Sequence, residues 1–322
     1  MAETQRVFDA HFHIIDPAHP LVENNGYLPD PFTVADYVAR VGGLSDSGRG
    51  GGVSDDQPGT PDAGTSDPDG FVPGVPASAE PGPSDPGTPD PNDAEPGNAA
   101  SGLSDSAFVV AGGAIVSGSF QAFDQGYLVE ALRQLGPTFA GVTQLPADTS
   151  DERILALDAA GVRALRFNVA RGGSADLGDL DRFARRVHDL AGWHTELYID
   201  ARTIDDDLAA RIAALPAVSI DHLGMHRDGV DTLLRLVARG VKVKATGFGR
   251  VDLDPAEVIR RIVDTDPSAL MVGTDLPSTR ARRPFADSDF DLVRAVLTPA
   301  EVDAVFWSNA ADFYLGRRAR TS

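Results

Sequence analysis

Apolar and polar positions along the chain follow two alternating periods. Short apolar runs occupy 6–12, 113–116, 139–143, 162–167, 195–199, 218–221, 241–244 and 270–272, lengths that suit strands covered on both faces. Between them, 33–41, 125–135, 152–160, 180–190, 205–215, 230–239 and 255–264 place apolar residues three and four apart, the spacing of an amphipathic helix. Asp254 and Pro255 read as an N-cap and a first helical residue, and Gly161, Gly192 and Gly240 stand where helices should stop. Strand and helix in strict alternation imply a parallel sheet with right-handed crossovers. Eight units predict a (β/α)8 TIM barrel, an α/β fold, over an open doubly wound sheet, and no G-x-G-x-x-G opens the first helix.

One segment breaks the pattern. Residues 48–101 contain 11 Pro, 11 Gly, ten acidic residues and one Arg. Val53, Phe71, Val72 and Val75 are their only sizeable apolar residues, too few to offset the entropy of ordering the segment, so disorder is expected. The sequence GLSDS occurs at 43–47 and again at 102–106, and removing one 59-residue repeat unit from the 322 leaves 263, a usual size for a single barrel. We therefore expect one barrel over 1–322, interrupted by a surface-loop insertion at 48–101, which loop-closure entropy tolerates well.

Composition narrows the chemistry. The absence of Cys excludes disulfides, Cys-ligated zinc, iron–sulfur clusters and a cysteine nucleophile. The N-terminus lacks a basic region followed by a long apolar one, and no apolar run is long enough to span a bilayer, so a cytoplasmic protein without membrane contact is expected. Net charge is −20, and Lys242 and Lys244 are the only lysines among 28 basic residues. Such a field repels nucleic acid and anionic membranes. It suits a high-salt cytoplasm, the favoured reading, because a GC-rich genome explains the missing Lys better than it explains the acidity. The oligomeric state is left open.

Reactive groups of such barrels sit at the C-terminal ends of the strands. The first strand ends His11-Phe12-His13, and period two aims both imidazoles the same way. The sixth ends in Asp221 and His222, and the eighth leads to Asp275. A lone strand-end His or Asp is commonly a cap, yet closure brings strand 8 beside strand 1. On strand 4, Arg163 and Leu165 share one face and Ala164 and Arg166 the other, so Arg166, nearer the C-terminal end, is the arginine expected to face the axis.

The segments DAHFH, RALRFNV, IDHLG, VKVKATG and GTDLP, at the first, fourth, sixth, seventh and eighth strands, resemble the amidohydrolase superfamily. Within it they are most similar to the branch of 2-pyrone-4,6-dicarboxylate lactonase and the sugar lactonases. The resemblance spans nearly the whole chain outside the insertion. It implies Asp275 as the general base for water, with His11, His13 and His222 polarising the scissile carbonyl and stabilising the tetrahedral intermediate. It places substrate-carboxylate arginines at about Arg166, Arg171 and Arg250, whose planar forks suit a dicarboxylated ring, and a substrate-contacting serine at Ser119, with Tyr198 a similar candidate. Ser117 also ends strand 2. No G-x-S-x-G elbow points to a serine nucleophile.

Metal-dependent members usually add a strand-4 Lys or Glu and a His at the end of strand 5. Here strand 5 ends LYIDAR; His194 lies at its opposite end, and Glu196 sits mid-strand, where side chains fill the barrel. His11, His13, His222 and Asp275 could still hold a zinc or manganese ion. The lactonase branch works without a metal, so no cofactor is the favoured expectation. After Asp275 the branch commonly has an aromatic residue and a His, whereas this chain runs LPSTRARR, with Arg280, Arg282 and Arg283. The expected function is a metal-independent hydrolase opening a carboxylated or sugar lactone, an anionic small molecule. The rivals are a divalent-metal amidohydrolase or decarboxylase of the same fold, and a non-catalytic barrel binding a partner through the acidic insertion.

Overall fold

The computed structural model describes residues 4–45 and 107–316. The expected insertion at 48–101 lies outside the described residues. The strands are β1 (Gln5–Phe12), β2 (Phe108–Val116), β3 (Phe139–Thr143), β4 (Val162–Asn168), β5 (His194–Tyr198), β6 (Val218–Ile220), β7 (Lys242–Ala245) and β8 (Leu270–Val272). They form one parallel sheet in chain order. Helices α1 (Val34–Gly42), α2 (Gly126–Leu135), α3 (Asp151–Ala160), α4 (Leu180–Ala191), α5 (Asp206–Ala213), α6 (Val230–Val237) and α7 (Pro255–Thr265) connect them, and α8 (Asp287–Ala295), α9 (Pro299–Asp303) and α10 (Asn309–Leu315) follow β8.

The barrel closes as the alternation predicts. Beyond the strand ends, the Asp275 amide donates to the His11 carbonyl at 2.7 Å and the His13 amide to the Leu276 carbonyl at 2.7 Å. Gly273 allows this seam: a Cβ there would stand 2.7 Å from the His11 nitrogen. Asp254 accepts from the Ala256 and Glu257 amides and Gly161 and Gly192 end α3 and α4 in left-handed backbone, as expected; Gly240 is not a cap, since α6 ends at Val237 with Ala238 capping it.

Two strand boundaries also need correction. β2 begins at Phe108, five residues before the predicted start, because Gly112 and Gly113 carry no side chain to show the alternation. They are needed there, since a Cβ at Gly112 would lie 2.6 Å from the Thr138 oxygen. β7 runs one residue later than expected, to Ala245.

The core has two parts. Phe12, Leu165, Leu197, Ile220 and Val243 pack outward against the helices. Inside, Phe8, Ala10, Ala114, Val142, Ala164 and Met271 form a smaller cluster closed by Tyr314 of α10. The Phe8 and Tyr314 rings stack with centroids 5.5 Å apart. On this apolar floor rests a layer of buried charge, with the candidate site above it.

Candidate active site

β1 aims the two histidines by breaking its own alternation. Phe8 and Ala10 face inward and Phe12 outward, and the pairing with β2 shifts register between Asp9 and Phe12. Such a bulge re-aims the residues beyond it. His11 and His13 consequently both enter the barrel mouth, as the H-x-H spacing predicts, with ring centroids 5.0 Å apart. Asp9 on the outer side anchors the seam, accepting from the Thr274 amide (2.8 Å) and hydroxyl (2.7 Å) and from the Tyr37 hydroxyl (3.0 Å).

His222 and Asp275 both adopt left-handed backbone, with φ of 51° and 59°, a conformation that non-glycine residues hold mainly where the surroundings over-determine it. His222 Nδ1 lies 2.8 Å from the Thr246 hydroxyl, and its ring centroid is 4.9 Å from that of His11. Asp275 Oδ2 accepts from Arg250 Nε at 2.8 Å and from Arg250 Nη2. Asp275 Oδ1, buried with no hydrogen-bond partner among the described residues, faces His11 Nε2 and His13 Nε2 at 3.7 Å each. Gly247, at φ +63°, leaves room for this cluster: a Cβ would stand 2.8 Å from His222 Nδ1 and 2.9 Å from Asp275 Oδ2.

Beneath the histidines lies the charged layer. Lys244, wholly buried, bonds Glu196 Oε2 and lies 3.3 Å from Asp221 Oδ1. Arg166 donates to Asp221 Oδ2 at 2.8 Å and to the Ser117 carbonyl at 2.8 Å. Glu196 Oε1 also accepts from the Tyr314 hydroxyl and contacts His194 Nε2 at 3.1 Å. His11 Nδ1 stands 3.4 Å from both Asp221 Oδ1 and Lys244 Nζ.

These surroundings set the charge states. Burial, helped by Lys244 and His13, lowers His11 to about 4 against the pull of Asp221. Burial likewise holds His222 well below its ordinary value, so both rings are neutral near pH 7. Burial alone would raise Asp275, but Arg250 and the three histidines outweigh it and keep the carboxylate ionised. For Asp221 the same upward push is overcome by Lys244, His11 and Arg166.

The cleft above encloses about 350 Å³, its open mouth included, and is lined by His13, Ser119, Arg166, Arg171, Tyr198, His222, Arg250 and Arg280, among others. The sequence-derived candidates Asp275, His11, His13, His222, Arg166, Arg171, Arg250, Ser119 and Tyr198 thus converge on one place. Two differ in their commitments from the expectation: Arg166 is bound to Asp221 and Arg250 to Asp275, so neither is a vacant carboxylate receptor. Arg163 turns away to Asp158, as the period-two argument requires. Of the three arginines after Asp275, Arg280 alone lines the cleft; Arg282 donates to the Val251 carbonyl and Arg283 pairs with Asp289. The Ser117 hydroxyl is taken by Gln125 and Tyr127.

The donors fit a divalent ion in one respect and not in another. His11, His13 and Asp275 each offer an atom within 4.8 Å of the others, and His11 Nε2 and Asp275 Oδ1 are both buried with no hydrogen-bond partner among the described residues. His13 Nδ1 lies 2.7 Å from the Val116 carbonyl; donating there leaves Nε2 with its lone pair forward, as metal-ligating histidines do. Charge argues the other way. Asp275, Asp221 and Glu196 are already matched by Arg250, Arg166 and Lys244, so a dication would add uncompensated charge to a buried site. The end of β4 presents Arg166 and that of β5 Tyr198, and neither suits a metal ligand.

Sequence reasoning missed Lys244, Asp9 and Tyr314. Lys244 had a usable signal: it is one of two lysines and alternates with Val243 and Ala245 in VKVKA, so one face of that strand had to carry charge.

An amidohydrolase family model matches residues 8–315. A 2-pyrone-4,6-dicarboxylate hydrolase of Comamonas testosteroni is 25% identical over 217 residues, covering 58% of this chain and 70% of the relative. A crystal structure of a candidate 2-pyrone-4,6-dicarboxylic acid hydrolase from Pseudomonas putida superposes with a TM-score of 0.54 at 25% identity, covering 64% of this chain and 82% of that one. Another, from Acinetobacter baumannii with citric acid bound, gives a TM-score of 0.66 at 16% identity, covering 96% and 98%, and bears on the fold alone. With the model match spanning both described segments of the barrel, the chain belongs to the amidohydrolase family.

Proposed function

We propose that the protein hydrolyses a carboxylated lactone, of the 2-pyrone-4,6-dicarboxylate type, without a metal. The observation that carries this reading is the ionised Asp275, with Oδ1 unpartnered and aimed between His11 and His13 at the base of an arginine-lined cleft. The name of the Comamonas relative supports the substrate class.

In this reading a water sits beside Asp275 Oδ1 and attacks the lactone carbonyl carbon while Asp275 takes its proton. Charge grows on the carbonyl oxygen. His222 is neutral, and with the Thr246 hydroxyl donating to its Nδ1 it presents Nε2–H to that oxygen. Lys244 donating to His11 Nδ1 gives His11 the same tautomer. His13, bonded through Nδ1–H to the Val116 carbonyl, turns its Nε2 lone pair toward Asp275 Oδ1 and the water and helps to place that water. Collapse breaks the ring C–O bond, and protonated Asp275 returns its proton to the leaving oxygen. The Arg250 pair weakens Asp275 as a base; a substrate carboxylate competing for Arg250 would restore its basicity on binding.

A zinc- or manganese-dependent hydrolase or decarboxylase is the second reading, favoured by the forward lone pair of His13. The test is to follow the loss of pyrone absorbance when protein purified without chelator meets 2-pyrone-4,6-dicarboxylate, with a panel of sugar lactones alongside and metal content measured on the same sample. Hydrolysis that survives chelation is expected. A stoichiometric divalent ion whose removal abolishes turnover would replace the first reading with the second.

A further inference from the structure

The cleft holds two cations that no carboxylate of the described residues answers. Arg166 and Arg250 are ion-paired, whereas Arg171 and Arg280 line the same cleft with no ion pair among the described residues. In a chain of 48 acidic and 28 basic residues, neighbouring guanidiniums without a resident anion mark a place for one from outside.

Their setting is built. Arg280 Nη2 donates to the Asn24 carbonyl and side-chain oxygen, and the guanidinium carbon lies 4.4 Å from the Tyr27 ring centroid. Asn24 Nδ2 in turn donates to the Arg171 carbonyl at 3.3 Å, so one asparagine ties both arginine segments together. Arg280 holds left-handed backbone, φ 58°, which returns its side chain over the cleft. A guanidinium has five N–H donors; Nε and Nη1 of Arg280, and the whole Arg171 guanidinium, have no hydrogen-bond acceptor among the described residues. Burial and the facing Arg171 charge both disfavour the Arg280 cation, a strain that an anion between them would relieve.

Arg250 reaches Asp275 and also donates to the Thr279 carbonyl at 3.1 Å, so Arg280 stands one residue beyond it. The geometry points to Arg280 as a specificity-determining residue that, with Arg171, grips the substrate carboxylate remote from the scissile carbonyl. This rests on the lactone reading above. On that reading Arg280 sets how strongly a ring with a second carboxylate is preferred to a ring with one.

The experiment measures binding, not turnover. Benzene-1,3-dicarboxylate and benzoate, planar and not hydrolysable, are titrated calorimetrically into wild type, Arg280→Met and Arg280→Lys. Wild type should prefer the dicarboxylate by roughly 10- to 100-fold, the range of one or two charge-assisted bonds. Arg280→Met should bring that preference to within about 3-fold, with benzoate affinity little changed, and Arg280→Lys should fall between. A purely structural role would weaken both ligands alike. If Arg280→Met melts far below wild type, the Arg280→Lys and Arg280→Gln preferences decide. A variant that keeps the wild-type preference, or a wild type without one, overturns the assignment. Lack of pyrone hydrolysis beside an intact, Arg280-dependent preference counts against the lactone reading and leaves Arg280 standing.

Discussion

Replacing Lys244 with Met should show how much of the barrel's integrity rests on its interior charge. Lys244 is completely buried between Glu196 and Asp221, themselves fully buried. Methionine replaces all of the side chain but the ammonium group, so the loss is chiefly electrostatic. Breaking a buried pair by removing one partner costs about 3–5 kcal/mol. An independent figure comes from Glu196, which burial would raise but which Lys244 and His194 bring down from 4.5 to about 2. That displacement is worth about 3 kcal/mol of stability at neutral pH, in agreement. Because the folded value is depressed, this contribution is complete above pH 4.5 and disappears as pH falls toward 2. In Lys244→Met only the His194 and Tyr314 contacts still oppose burial, the folded value rises, and acidification below neutral should cost the variant less stability than it costs wild type. Thermal melts at pH 7 should show a fall of roughly 6–20 °C, narrowing at pH 5, and Lys244→Met with Glu196→Gln should recover part of the loss. A decrease under about 1 kcal/mol at pH 7, or a gap that widens on acidification, would refute the reasoning.

Three further outcomes follow from the same structure. Asp275→Asn should lower kcat by roughly 10²- to 10⁴-fold, the usual worth of a general base, with a native circular dichroism spectrum; substantial residual hydrolysis would place the base elsewhere. Asp9 is raised by burial from 3.8 to about 6 against its hydrogen bonds from Thr274, His11 and Tyr37, so its folded form binds a proton more readily than the unfolded one. That contribution favours folding below pH 3.8 and is lost as pH rises through 6; comparing urea midpoints of wild type and Asp9→Asn at pH 5 and 7 should show the difference shrinking toward pH 7. Excising residues 48–106 should leave kcat/KM for the lactone unchanged within about 2-fold, since loop closure changes little with length; a folded but inactive product would favour a partner-binding role for the segment.

Period and strand-end chemistry made most of the site legible. Eight alternating units sufficed for the barrel, and His11, His13, His222 and Asp275 could be placed together because closure brings strand 8 to strand 1. What stayed hidden was pairing. Residue type says that Arg166 and Arg250 are cations in the right place, but whether each faces ligand or a resident carboxylate depends on contacts 55 and 25 residues away in the chain. The Lys244–Glu196 pair stayed hidden for the same reason, since the charge on one face of VKVKA and the mid-strand Glu196 could be matched only once the barrel brings β5 and β7 to one interior. The bulge in β1 escaped notice because the H-x-H spacing alone predicts the same aim for both rings, with or without it.

Tyr314 gives the interior an order of completion. Its hydroxyl bonds Glu196 and its ring covers Phe8, yet it lies 42 residues beyond the end of β8 at Val272. During synthesis every strand has emerged while the floor of the barrel is still open and one Glu196 oxygen still wet. The nascent chain therefore cannot finish its innermost layer strand by strand; the last helix seals it, so a ribosome stalled shortly before residue 314 should hold a barrel that is wound but leaky at the base.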